Sequence, residues 1–303
     1  MKRLGVAAPL FGVFLLACGS DPVNGTGAPA TSSTTPMPSS SSSSTAPPAL
    51  TCDEPDYSDD SLPLLSVGPV SVTLHDPSDA PIVGQPTYVC GAYVCGRLEL
   101  TVDDGSASPG IDMPAIKPAL KFGDAVKYPE LAILMDDPAP GMKFPVLTLP
   151  PFPDQGVALA PGTTSTSNGV SLTLAANANP PEVDPTIYGL DDPEPFRAVE
   201  LPPEHIPDGL DHGAGLERVF ALEPSGTELC PPAALSVPNS AGWAPGTEVE
   251  FLIQGLGAGD EQLFAPYADW QSIGTGAVDD AGENLVLTNG ALPIIYTVGV
   301  RRL

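Results

Sequence analysis

The chain has 303 residues, with 37 acidic side chains against 11 basic ones and a formal net charge of −26 at pH 7. A field of that sign repels phosphate backbones and anionic lipid headgroups, so nucleic acid is excluded as an expected partner, while basic or divalent ones remain. With 42% hydrophobic and only 16% charged residues, the composition suits one or two domains with buried cores and excludes a wholly disordered chain.

The first signal in chain order is a basic pair, Lys2 and Arg3, followed by a 13-residue uncharged stretch from Leu4 to Leu16. A membrane span needs about 20 apolar residues, so this stretch reads as the h-region of a cleaved signal peptide over 1–17. Removal of Lys2 and Arg3 would leave nine basic residues against 37 acidic, a net charge of −28. The stretch ends in Leu15-Leu16-Ala17-Cys18, which resembles the lipobox of bacterial lipoproteins. That resemblance implies cleavage after Ala17, a diacylglycerol thioether on Cys18 and acylation of the new amino group. Three acyl chains hold far more firmly than one. Gly19, where an aspartate would mark inner-membrane retention, implies the outer membrane or cell surface.

Residues 18–61 then read as a disordered linker. Thr31-Ser32-Ser33-Thr34-Thr35-Pro36, the serine run 39–44 and Pro47-Pro48 carry too little apolar surface to offset the entropy of ordering. Roughly 40 residues of coil reach about 35 Å, enough to lift a folded domain clear of headgroups.

Apart from Cys18, the cysteines are Cys52, Cys90, Cys95 and Cys230. An even number in an exported chain predicts two disulfides, with three connectivities open. The favoured set joins Cys90 to Cys95 and Cys52 to Cys230. Five residues apart on an unbroken strand, Cys90 and Cys95 face opposite sides, so their pairing requires a turn at Gly91. The competing reading of these two as zinc ligands lacks a second ligand pair at a recognisable spacing.

From residue 62 onward the apolar period is two. Val70, Val72 and Leu74 alternate with Ser71, Thr73 and His75; Leu98, Leu100 and Val102 alternate with Arg97, Glu99 and Thr101. The pattern returns at Val170-Leu172-Leu174, at Val249-Phe251-Ile253 and along Leu292 to Val300. Pro, Gly, Asn and Asp clusters separate these runs, and no long amphipathic helix fits between the prolines. The fold class expected is all-β, two β-sandwich domains over 62–150 and 155–303, divided at Leu149-Pro150-Pro151-Phe152-Pro153.

Two family resemblances bear on those halves. Val70 to Pro77, with Ala80-Pro81-Ile82-Val83-Gly84, resembles the opening of carboxypeptidase regulatory-like domains, which are transthyretin-like sandwiches. Glu223 to Thr227, Pro231-Pro232-Ala233, Val237-Pro238-Asn239, Pro245 to Val249, Trp270, Ile273 to Val278 and Gly282 resemble the ZU-five type of β-sandwich, most clearly over 219–303. Some members of that family cleave themselves at a His-Phe-Ser site; the tripeptide is missing here, so self-processing is not implied.

The chain has no Gly-x-Ser-x-Gly, no His-Glu-x-x-His and no phosphate loop, and Gly255 to Gly259 leads to acids and no helix. His205, Asp208, Asp211 and His212 form the metal candidate, with an exposed polar loop as the plainer reading. Recurrent Asp-Asp pairs fit turn capping better than calcium loops. Trp243, Tyr267 and Trp270 could stack a sugar or, more simply, plug a core. The leading expectation is a non-catalytic, surface-anchored lipoprotein without a cofactor, acting as envelope scaffold or adhesion module toward an unspecified envelope or extracellular ligand. The alternatives are a polysaccharide-binding or polysaccharide-hydrolysing protein and a divalent-metal-binding lipoprotein.

Overall fold

A computed structural model describes residues 52–59, 61–123, 127–139, 141–183, 195–257 and 262–303. The signal segment 1–17, Cys18 and the Ser/Thr/Pro stretch through residue 51 lie outside the described residues. Among those described, no helix is long and apolar enough to cross a membrane. The fold is all-β.

The first strands are β1 (Leu64–Leu65), β2 (Ser71–His75), β3 (Pro86–Gly91), β4 (Val94–Cys95), β5 (Glu99–Leu100), β6 (Ser106–Ala107) and β7 (Ala115–Ile116). There follow β8 (Ala119–Phe122), β9 (Leu131–Leu134), β10 (Lys143–Thr148), β11 (Thr164–Ser167), β12 (Val170–Thr173), β13 (Glu182–Val183) and β14 (Arg197–Leu201). A 3-10 turn at Pro203–His205 and one helical turn, α1 (Asp208–Asp211), lead to β15 (Arg218–Glu223) and β16 (Thr227–Pro238). The last are β17 (Glu248–Gln254), β18 (Trp270–Val278), β19 (Asn284–Gly290), β20 (Leu292–Ile295) and β21 (Val298–Arg302).

They form four sheets. The largest runs β11-β12-β16-β19-β18-β17-β21-β15-β14, with β13 and β20 also on β16; a second runs β4-β3-β8-β9, with β5 on β3. The others are β10-β2-β6, in which β10 lies parallel to β2, and the pair β1-β7. Strands β18 and β19 approach so closely that a Cβ on Gly276 would meet the Val286 carbonyl oxygen, which explains the glycine there.

Residues 62–150 and 155–303 do not separate into two bodies: residues 48–303 make one compact unit. Strands β14 and β15 explain this by alternation. Phe196, Ala198, Phe220 and Leu222 face one core, formed mainly by the large sheet. Val199, Leu201, Val219 and Ala221 face the other, beside Val70, Val72, Leu74, Leu120 and Ile133. The outer face of β14–β15 is therefore a wall of the N-terminal core. The proline-rich segment expected to divide the halves is itself packed, with Leu149 and Phe152 buried and their N–H groups donating to His75 and Lys127 carbonyls at 2.9 and 2.8 Å.

The alternation at 97–102 does not bury its apolar face, and Thr101 alone goes inside. Leu98, Leu100 and Val102 are 43%, 50% and 57% exposed, and Thr101 is buried. The cause is a hydrogen-bonding requirement: Thr101 Oγ1 donates to the Ile82 carbonyl at 2.6 Å and accepts from Gln85 N at 2.8 Å. Turning Thr101 outward would strand both backbone groups.

Two sheet edges are completed by side chains. Strand β9 ends its sheet, and the backbone groups it would leave unpaired are met from the large sheet. Gln254 takes both groups of Ala132, its Nε2 donating to the carbonyl at 2.8 Å and its Oε1 accepting from the N–H at 3.5 Å. Glu223 Oε1 accepts from Glu130 N at 3.2 Å, and Thr297 Oγ1 donates to Glu130 O at 3.4 Å. Across the gap between β11 and β14, Ser167 Oγ accepts from Ala198 N at 3.0 Å and Asn168 Nδ2 donates to Ala198 O at 2.9 Å, which nearly closes the large sheet. Gln254→Ala is expected to strand a buried N–H and C=O and to cost about 2–4 kcal/mol. Urea unfolding would show this as a lowered midpoint at unchanged slope; a midpoint equal to that of the parent protein would mean the amide does not hold the two sheets together.

Two disulfides fasten the unit. Cys90 and Cys95 face each other across the β3–β4 hairpin, their Cα atoms 3.9 Å apart, because the chain turns back through Ala92-Tyr93. Cys52 joins Cys230 on β16 with Cα atoms 5.8 Å apart across 178 residues of sequence. Closing so long a loop restricts the unfolded chain, and removal of this bridge in a Cys52→Ala, Cys230→Ala variant is expected to cost up to about 5 kcal/mol. Denaturant unfolding of the variant checks it, and a loss too small to measure would refute the bracing role.

Candidate functional site

The segment that follows Cys52 lies against the connection between β17 and β18. Tyr57 N donates to Gln262 O at 3.0 Å, and Phe264 N donates to Pro55 O at 2.8 Å. Gln262 N in turn donates to Asp56 Oδ1 at 3.2 Å and Ser58 Oγ at 3.0 Å. This clasp forms one side of a cleft of about 330 Å³ whose apolar lining is Leu62, Ala92, Ile116 and Pro266 and whose polar lining is Tyr57, Asp59, Lys117, Gln262 and Asp269. Its size is at the small end of ligand pockets.

The backbone around the cleft is strained. Lys117, Phe264 and Ala268 have φ of 47°, 65° and 54°, a left-handed conformation that costs a bulky L-residue of the order of 1 kcal/mol and tends to collect at functional sites. Lys117 is the residue between the buried Ile116 and Pro118, and its positive φ turns the chain at the cleft mouth. Gln262 supports the far wall by accepting Tyr267 N at 2.6 Å.

Three charged groups meet here. Lys117 Nζ lies 3.1 Å from Asp269 Oδ2, and Asp269 Oδ1 accepts Trp270 N at 2.8 Å, so each oxygen of that carboxylate has a partner. Among the described residues Asp59 binds Ser61 through Oδ1, from Oγ at 2.6 Å and from N at 2.9 Å, and Oδ2 is left for another donor. The Ser61 bonds, first the hydroxyl and then the amide, hold the Asp59 carboxyl below the usual carboxylate range, with Lys117 adding a smaller pull. Asp56 is lowered likewise, by the Ser58 hydroxyl and by the Ser58 and Gln262 amides.

A second depression of about 260 Å³ is lined by Glu200, Pro202, Pro203, Glu204, Arg218 and Ser240. Ser240 Oγ donates to Glu200 Oε1 at 2.5 Å, and Arg218 Nε lies 3.5 Å from the same oxygen. Burial pushes the Glu200 carboxyl up, against the opposing effects of Ser240 and Arg218. This group reads as a bracing contact between β14, β15 and the turn after β16.

The residues singled out in the sequence are distributed differently. His205 ends the 3-10 turn, with a buried Nδ1 that finds no partner among the described residues. His212 caps α1 in a left-handed conformation, its Nδ1 3.3 Å from Asp136 Oδ1. Asp211 Oδ1 accepts Leu216 N at 2.5 Å, while Asp208 opens α1. Among the described residues no group of three His, Cys, Asp or Glu side chains is placed to hold a metal ion, so the four do not converge. Several aspartates of the Asp-Asp pairs do cap turns: Asp104 accepts Ser106 N at 3.0 Å, and Asp279 accepts Glu283 N at 2.8 Å.

The aromatic rings serve two different cores. Tyr267 is fully buried in the first, its hydroxyl without a partner among the described residues and its pKa pushed up by burial and then by Glu130. Trp243 packs against the same core and stacks with the Arg218 and Arg302 guanidinium groups at 5.6 and 5.4 Å. Trp270 packs against the second core and donates its Nε1–H to Leu210 O at 2.7 Å. They present no common platform for a sugar.

The chain matches no known protein-family model, no curated protein and no solved structure. The cleft was missed in the sequence because its members run from Tyr57 to Asp269; the one local signal was Lys117, a rare cation in an acidic chain, flanked by Ile116 and Pro118.

Because Asp56 and Asp59 titrate below the usual range when folded, the Asp56 bond to Gln262 favours the clasp, and the Asp59 bonds to Ser61 the turn that follows it, above that range, and both contributions are lost as pH falls through the lowered values. The Gln262 and Ser61 amides are therefore expected to lose protection from hydrogen exchange as the pH falls below the ordinary aspartate value of 3.8. Protection that persists undiminished in acid would show that these carboxylates do not hold the segment in place.

Proposed function

We propose that the protein is a lipid-anchored component of the cell envelope, displayed on the outer membrane or cell surface, whose folded unit is a non-catalytic scaffold or binding module. The observation that carries this reading is the bond from Cys52 to Cys230: the chain arriving from the Ser/Thr/Pro segment is fixed covalently to β16 where the described residues begin. A long polar segment behind an acylated cysteine and a disulfide-braced β unit ahead of it are the parts that surface display requires.

The cleft favours recognition over catalysis. Gln262 Oε1 and both carboxylate oxygens of Asp269 are taken by the backbone and by Lys117. The apolar walls and the single free carboxylate oxygen of Asp59 suit a bound group better than a proton relay. The acidic charge directs the partner toward neutral or basic chemistry.

Anchoring is tested by intact mass and membrane fractionation of the native protein beside a Cys18→Ala variant. The native protein is expected to lack residues 1–17, to carry the added mass of acyl chains and to sediment with membrane, while the variant stays unacylated and soluble. An unmodified, soluble native protein would overturn the reading and make it a freely secreted factor.

A further inference from the structure

We propose that the cleft between the Cys52–Ser61 segment and Lys117 binds a small organic cation, a primary ammonium carried on an apolar body; this rests on the binding-module reading above. The cleft divides into two parts that such a ligand would span. Leu62, Ala92, Ile116 and Pro266 line an apolar part, and Ala92 and Ile116 belong to the first core, so that surface is rigid. Asp59 stands at the polar part, exposed and ionised, with Oδ2 left over from its bonds to Ser61.

Charge decides the class of ligand. Lys117 neutralises Asp269, which leaves one uncompensated negative charge on the described lining, within a protein whose net charge is −26. An anion would have to displace Asp269 from Lys117 and enter against that field. A bare divalent ion would need several further oxygen ligands, and no such group of three or more acids and histidines is placed among the described residues. A cleft of 330 Å³ has the volume of about ten water molecules, which fits one ring or short alkyl chain with its ammonium. The ring of Tyr57, which also lines the cleft, adds a face for the cation.

The test is calorimetric titration of the full chain with phenethylamine at neutral pH, beside 2-phenylethanol, phenylacetate and ethylamine. These remove in turn the charge, its sign and the apolar body. Phenethylamine is expected to bind at least about tenfold more tightly than each of the others. Asp59→Asn keeps an acceptor for Ser61 and is expected to weaken phenethylamine by about tenfold or more. Lys117→Met leaves Asp269 unneutralised and is expected to strengthen it, a direction that mere loosening of the fold would not give. Equal or tighter binding of phenylacetate, full affinity in Asp59→Asn, or no saturable binding of phenethylamine up to about 10 mM would each overturn the proposal. Any of those results beside a protein that still sediments with membrane rejects the ligand class alone, because the anchoring experiment reads a separate property.

Discussion

The fold depends on side chains that act as backbone. A sheet edge leaves N–H and C=O groups that must be paired wherever water is excluded, and in this protein the edge of β9 is buried against the large sheet. Gln254 supplies what a neighbouring strand would, one donor and one acceptor to a single residue, and Glu223 and Thr297 do the same for Glu130. Beside them the Lys121–Glu130 ion pair, 2.6 Å long and largely buried, has a further partner in the Leu256 carbonyl at 3.0 Å. Such a pair is tolerable only because both charges are met. Burial beside Glu130 also pushes the Tyr88 hydroxyl pKa up, first through desolvation and then through that charge. The two halves of the chain are thus joined by a specific polar seam with apolar cores on either side of it.

That seam explains which parts of the structure were legible. The β class followed from period-two runs, and Val70, Val72 and Leu74 are buried as their spacing indicates. At 97–102 the same rule expected Leu98, Leu100 and Val102 inside and only Thr101 is buried, since apolar alternation cannot weigh the need of the Ile82 carbonyl and the Gln85 N–H for a buried hydroxyl. The division at 149–153 failed for a related reason. Prolines mark where a strand must stop, yet they are also good surface for a core, and the local sign that β15 serves two cores is its unbroken apolar run Val219-Phe220-Ala221-Leu222, which does not say what covers either face.

The site was less legible than the fold. His205, Asp208, Asp211 and His212 are close in sequence, but the 3-10 turn, the helical turn and the left-handed cap send them in different directions. Trp243 and Trp270 attract attention as rings, and both are occupied, one by two guanidinium groups and the other by a carbonyl. The cleft draws instead on an ordinary tyrosine, two aspartates and a lysine that run from Tyr57 to Asp269, brought together by pairing of the Cys52–Ser58 segment with the β17–β18 connection. Positive φ at Lys117, Phe264 and Ala268 has no sequence signature, since none of these is glycine.

The bridge between Cys52 and Cys230 also sets where mechanical load would enter. For a protein held to a surface through its N-terminus, tension along the chain passes from Cys52 directly into β16, a strand paired with β12 and β19 in the body of the large sheet. Strands sheared along their length share force over several hydrogen bonds. Tyr57 and Asp59 lie beyond the crosslink, outside that path, so the wall of the cleft they form would stay slack while the anchor is pulled.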